Sequence, residues 1–353
     1  MDSASFFILN IFFNSLLAFF TSVLLVKSLL FLFQIQHGRT RALLEMIPIF
    51  KLPFDLLLYD FTKWSYMQNI NPLSFEKGAR SLSIFIELSP LTERLFPFHS
   101  GVQFTLPGNT TFTIADLIGY TFNPYLNVFS LILIFLCLSS FLKTLVVYYC
   151  GRKTLQSITK KADLFTKKID NPYLLQEMQK RSCRILHASS VHSSPFVAGL
   201  FSPIIYIPSH LLFFLSTKEY EAALSHEIEH IRYKDGLIRF LLEIIASIFW
   251  WVPTKWLRDK ILENQEISCD CNCKRYGVDA TDLASAIYQS AAHTKRLHPS
   301  IFASHLTAKK TLKRVHMLLH PLTNRWKKLH GICSFCAIIL AYILIFLGRF
   351  WVF

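Results

Sequence analysis

From Phe6 to Phe33 the chain is almost continuous apolar sequence, broken only by Asn, Ser, Thr and one charge at Lys27. A helix of that length crosses a hydrocarbon layer of about 30 Å. No basic segment precedes it and no A-x-A-like cleavage site ends it, so an uncleaved span is expected rather than a secretory leader. Two further stretches have the same character: Tyr125 to Tyr149, with Asn127 and Lys143 as its strongly polar members, and Ile332 to Phe353, interrupted late by Arg349. Ala42 to Met67 is less simple. Glu45, Lys51, Asp55, Asp60, Pro48 and Pro53 lie among its apolar residues, and a lone helix would bury those charges at a cost. The apolar share, 52% of 353 residues with 33 Phe, exceeds that of a soluble domain, and the length allows one globular domain beside several spans.

Charge fixes the expected topology. Arg39, Arg41 and Lys51 follow the first span, and Arg152 with Lys153 follows the Tyr125 span. Lys and Arg stay on the cytoplasmic side, so both flanks are inside and an odd number of crossings lies between them. Ala42 to Met67 then crosses, with its polar residues turned toward other helices. The expected organisation is N-terminal spans in 1–67 (6–33 and 42–67), an extracytoplasmic loop at 68–123, a third span at 124–150, a cytoplasmic domain at 151–330 and a last span at 331–353. This is a multi-pass protein of the cell (inner) membrane, with the lipid bilayer as its first partner.

The inner segment 151–330 carries 27 Lys and Arg against 15 Asp and Glu, a net +12 of the chain's +14. Basic residues beside spans follow from topology and anionic lipid, so no nucleic acid is expected as a partner.

Within that segment lies His226-Glu227-Ile228-Glu229-His230, an HExxH arrangement. Positions i and i+4 share a helix face, so both imidazoles reach one metal ion while Glu227, one step round, can polarise a water. Ser216, three residues before Glu219, fits a capping box; Tyr220, Ala223, Leu224, Ile228 and Ile231 repeat at helical spacing. The motif therefore falls on a helix.

Upstream, Arg184 to Ser189, Phe196 to Leu200 and Ile204 to Ile207 are short runs bounded by Pro195, Pro203 and Pro208, the mark of a small sheet. An edge strand over Phe196, Val197, Ala198 and Gly199 beside the histidine helix would dock an extended peptide; the plainer reading is a supporting hairpin. In the outer loop, Val102 to Leu106 and Thr110 to Ile114 flank Pro107-Gly108-Asn109 as strand, turn and strand. Arg239 to Pro253 is apolar but short, contains Glu243 and ends in Trp250-Trp251, which suits a core or interfacial helix. Cys269, Cys271 and Cys273 have CxCxC spacing, whereas zinc pairs are usually CxxC, and inside a cell these thiols stay reduced.

A hydrolytic zinc needs three protein ligands and an open position. Glu266 is the preferred third ligand, with Asp270 at i+4 placed to orient a histidine; Glu263 shares the face and spacing does not separate the two. Asp235 either orients a ligand or begins a helix.

Five separated blocks resemble the BlaR/MecR antirepressor family of membrane zinc metallopeptidases. They are Ser194-Pro195-Phe196-Val197-Ala198-Gly199, Pro203 to Pro208, Leu224 to Ile231 with Asp235, Phe249-Trp250-Trp251-Val252-Pro253, and Glu266 to Asp270. Leu312-Lys313-Arg314-Val315 resembles an Arg-containing helix near the end of that peptidase domain. The resemblance implies a multi-pass α-helical membrane protein with a cytoplasmic α+β zincin (gluzincin-like) peptidase domain. It implies Zn2+, one per chain, on His226, His230 and the Glu266 of an ExxxD block, with Glu227 as general base. The expected activity is that of a zinc metalloendopeptidase acting on a protein or peptide at the cytoplasmic side, a repressor being one candidate. His192, Tyr233 and nearby cations are candidates to stabilise the oxyanion. The family's best-known members continue into an extracellular penicillin-binding sensor, whereas this sequence ends at Phe353, so β-lactam sensing is not expected to carry over. The alternatives are a prenyl-protein or quality-control membrane gluzincin and a catalytically silent signalling scaffold, the latter expected to have lost a ligand or base.

Overall fold

A computed structural model of the chain describes residues 2–35, 37–57, 104–105, 111–112, 114–162, 168–189, 194–200, 202–297, 311–320 and 338–339. Residues 58–67 of the second expected span, His192 and nearly all of Ile332 to Phe353 lie outside them.

Helix α1 (Asp2–Leu32) turns at Gln34 into α2 (Gly38–Leu57) and packs against it. Strands β1 (Phe104–Thr105) and β2 (Thr111–Phe112) pair antiparallel. The second is shorter than expected because α3 (Ile114–Lys161) starts directly after it. This helix has 48 residues, so the apolar span and the basic run after it form one continuous element; no proline interrupts it after Pro124. Among the described residues two helices are long and apolar enough to cross a membrane, over Ser15–Leu32 and Val128–Lys161. On α3, Leu131, Phe135, Leu138 and Val146 are each more than half exposed, an apolar surface that water does not tolerate and lipid does.

The rest is built from α4 (Pro172–Lys180), β3 (Arg184–Ala188), β4 (Phe196–Ala198), β5 (Ile204–Pro208), α5 (Leu211–Phe214), α6 (Thr217–Arg232), α7 (Asp235–Ile248) and α8 (Lys255–Asn272). A short 3-10 turn, Cys273–Tyr276, leads to α9 (Ala280–Leu297), and residues 311–319 form α10. The sheet order is β3-β5-β4, with β3 parallel and β4 antiparallel to β5. Phe196 to Ala198 thus form an edge strand, next to α6. Gly199 ends it at φ +98°, where a Cβ would meet the Ser202 carbonyl.

Two of the apolar cores among the described residues set the positions of α6, α7 and α8. One joins the sheet to α6 through Ile205, Ile207, Leu211, Tyr220, Leu224 and Ile228. The other joins the N-terminal hairpin to α7 and α8 through Phe19, Met46, Ile49, Leu242, Phe249 and Ile261. Trp251, in the turn after α7, donates to Ser15 Oγ at 2.8 Å and stacks on Phe12, so this tryptophan faces α1 and the segment serves as core. Glu45 of α2 is fully buried, accepting from Lys27 Nζ at 2.9 Å and from Asn264 Nδ2 at 2.8 Å, which turns the charge toward α1 and α8. Gly38 permits that packing: a Cβ there would sit 2.7 Å from the Asn264 carbonyl oxygen.

Candidate metal centre

Helix α6 begins with the capping box read from sequence. Ser216 Oγ accepts from Glu219 N at 3.3 Å while Glu219 Oε2 accepts from Ser216 N at 2.7 Å. Such a cap is worth about 1 kcal/mol and fixes where the helical register starts. Tyr220, Leu224 and Ile228 then bury against the sheet, and His226 and His230 fall on a face that meets α8. Across from them α8 presents Glu266 and Asp270, one turn apart.

The donor atoms converge. His226 Nε2 and His230 Nε2 are 3.2 Å apart; Glu266 Oε2 lies 3.3 Å from the first and Oε1 3.4 Å from the second. Ligand atoms held about 2.0–2.1 Å from a tetrahedral zinc are roughly 3.3–3.4 Å from one another, so these three residues fit the ion as they stand. The other ring nitrogens are turned away to carboxylates. His230 Nδ1 is 2.9 Å from Asp235 Oδ2, and His226 Nδ1 is 2.9 Å from Asp270 Oδ1, the latter off the ideal hydrogen-bonding line. His230 donating at Nδ1 to Asp235 selects the tautomer whose Nε2 lone pair faces a metal, while His226 Nδ1 has an ion-pair contact with Asp270 and no hydrogen bond.

Each carboxylate is gripped in turn by an arginine. Arg314, carried on α10, reaches Asp270 through Nε and Nη2, each at 2.7 Å, and Glu266 Oε2 through Nη1 at 3.1 Å. Arg39, at the start of α2, reaches Asp235. Burial would raise the Glu266, Asp270 and Asp235 carboxyls. The histidine contacts and the arginine charges outweigh it and hold all three below the ordinary range. Glu227 differs: burial pushes its carboxyl up, against the pull of the His226 and His230 charges. Among the described residues it makes no side-chain hydrogen bond or ion pair, so its oxygens are free to take a proton.

Glu263, the rival to Glu266, points elsewhere and pairs with Lys260 and Lys313. Asp235 is both the first residue of α7 and the partner of His230, so the two readings of it hold together. Tyr233 caps α6, and its hydroxyl accepts from Asn272 at 3.1 Å. The CxCxC thiols do not gather: Cys271 is exposed, Cys273 Sγ bonds the Cys269 carbonyl, and Cys269 Sγ lies 3.4 Å from His230 Nδ1. Sequence reasoning read Arg39 only as a topology charge and missed its contact with Asp235. It also missed the pair of hydrogen bonds from Arg314 to Asp270.

Two helices that face HExxH against ExxxD, with each histidine beside a carboxylate, define a candidate metal centre. The chain belongs to the BlaR1 peptidase M56 family, whose model matches residues 115–318, from the start of α3 to α10. It is 34% identical over 87 residues to the regulatory protein BlaR1 of Bacillus licheniformis, a stretch covering 24% of this chain and 14% of that protein. It is 27% identical over 97 residues to the methicillin resistance mecR1 proteins of Staphylococcus aureus and Staphylococcus epidermidis, covering 27% of this chain and 16% of each of those. The alignments therefore span a small part of these relatives' length.

Proposed function

We propose that this chain is an integral-membrane zinc endopeptidase that cuts a regulatory protein on the cytoplasmic side of the membrane. The observation that carries the reading is the meeting of His226 Nε2, His230 Nε2 and the Glu266 carboxylate at ligand spacing, beside a Glu227 carboxyl that makes no side-chain hydrogen bond or ion pair among the described residues. Zinc held there would supply Lewis acidity, lowering the pKa of a water and polarising a peptide carbonyl.

The chain's own groups do the rest. Asp235 and Asp270 hold the two rings with Nδ1 toward a carboxylate and Nε2 toward the ligand position. Glu227 takes the proton from the attacking water at a carboxylate oxygen and delivers it to the amide nitrogen as the C–N bond breaks; water's OH stays on the acyl carbon and its H ends on the amine. The side of β4 that no strand pairs among the described residues offers backbone groups to an extended segment of substrate, and Phe196 stacks on Tyr206 at 5.1 Å along that edge. Two apolar helices support a membrane position, and the Lys and Arg distribution supports a cytoplasmic site. A regulatory substrate is favoured by the likeness to a protein named for regulation.

The experiment is a comparison of protein N-termini in cells carrying the intact chain and Glu227→Gln. New N-termini present only with the intact chain are expected, since loss of a general base costs about 100- to 10,000-fold. Identical sets would contradict the peptidase reading and favour a silent scaffold.

A further inference from the structure

Arg39 stands where the N-terminal hairpin meets the metal centre. It lies 196 residues before Asp235 in sequence, yet Nη1 donates to Asp235 Oδ1 and Nη2 donates to the Tyr233 carbonyl at 3.1 Å. The guanidinium also lies over the Tyr233 ring, 4.2 Å from its centre. Both side chains are largely out of water, 11% exposed for Arg39 and 2% for Asp235. Asp235's second oxygen is the one that meets His230 Nδ1. The chain is shaped for this: Lys234 adopts a left-handed conformation, φ 54°, which ends α6 and starts α7 so that Asp235 faces back toward His230. Next to Arg39, the bare Gly38 lets α2 press on the backbone of α8, the helix that carries Glu266.

We propose that Arg39 is a positioning residue of the metal centre: by holding Asp235 it sets the orientation of His230, and it makes the corner between α1 and α2 part of the centre's geometry. The inference rests on reading His226, His230 and Glu266 as metal ligands. Its physical basis is that a buried carboxylate with one oxygen bound by a guanidinium has one rotamer in which the other oxygen meets the imidazole. Remove the guanidinium and Asp235 loses both its counter-charge and the contact that fixes that rotamer. Arg39 also binds the carbonyl of Tyr233, the residue that caps α6, where a cation is favoured by the helix dipole. The arrangement mirrors the one on the other histidine, where Arg314 holds Asp270, but there the arginine comes from the C-terminal side.

The test is the zinc dissociation constant of the full chain in detergent, measured by competition with a chromophoric chelator. It compares the intact protein, Arg39→Met, Asp235→Asn and the double variant, with His226→Ala as control. Each single change is expected to weaken zinc binding about tenfold, the lower end for loss of a partner behind a ligand. The double variant is expected to be no weaker than the weaker single variant, because Arg39 acts through Asp235. Arg39→Lys keeps the charge but cannot reach Asp235 and the Tyr233 carbonyl together, so it should recover part of the loss. Visible absorption of the cobalt-loaded protein should shift in Arg39→Lys, which keeps the test available if Arg39→Met does not fold. Unchanged zinc affinity and an unchanged cobalt spectrum in the Arg39 variants, with only a lower melting temperature, would overturn the proposal, and so would losses that multiply in the double variant. Failure of the metal reading itself shows separately, as zinc retained in the His226→Ala control.

Discussion

Arg314 and Asp270 are joined by two hydrogen bonds, Nε to Oδ2 and Nη2 to Oδ1, each 2.7 Å long. This fork holds the carboxylate against His226 and ties α10 to α8. A lysine supplies one point charge in place of the fork. Arg314→Lys is therefore expected to weaken zinc binding about tenfold, measured by chelator competition. An unchanged affinity would show that charge alone suffices.

The pH dependence follows from His226. Burial pulls its pKa down, as does the Arg314 charge, but the Asp270 charge and the side-chain contacts of Asp270 and Cys273 together outweigh them, leaving it well above 6.5. Protons and zinc compete for the same nitrogen, so zinc affinity should fall as pH drops through that raised pKa, at higher pH than for an ordinary histidine. For the metal-free protein the sign is opposite. A raised folded pKa gives stability that is fully present below about 6.5 and is lost as pH rises through the folded value. Melting of the metal-free protein against pH, with Asp270→Asn beside it, checks this; the variant should lose the dependence.

Gly38→Ala forces a methyl to 2.7 Å from the Asn264 carbonyl and 3.2 Å from the Ser268 amide, both backbone atoms of α8. Overpacking of that kind costs about 1–3 kcal/mol. A lower melting temperature is expected together with weaker zinc binding, because α8 carries Glu266. A loss confined to melting would show that α2 and the metal centre are independent.

Orientation is checked on Cys271, which is exposed. In a version that keeps this cysteine alone, a membrane-impermeant maleimide added to whole cells should leave it unlabelled until the membrane is opened. Labelling from outside would reverse the topology and move the substrate pool with it.

Much of this architecture is legible locally. The helix around His226 is announced by its capping box and by apolar residues at helical spacing, and the small sheet by prolines that bound its strands. The pairing of a face of α6 with one of α8 follows from two i and i+4 patterns. What sequence leaves open is decided by distant partners. Glu263 and Glu266 share a face, and only Lys260 and the α10 residue Lys313 draw Glu263 away. Arg39 carries no local signal at all, since its partner lies 196 residues on. The length of α3 was also hidden, because helix-forming basic residues continue an apolar helix with no break at the membrane boundary.

The most direct test of the metal centre is zinc content of the purified full chain by elemental analysis. About one zinc per chain is expected in the intact protein and in Glu227→Gln, which leaves the ligands alone, and little or none in His226→Ala, His230→Ala and Glu266→Ala. Full zinc retained in both histidine variants would contradict the account.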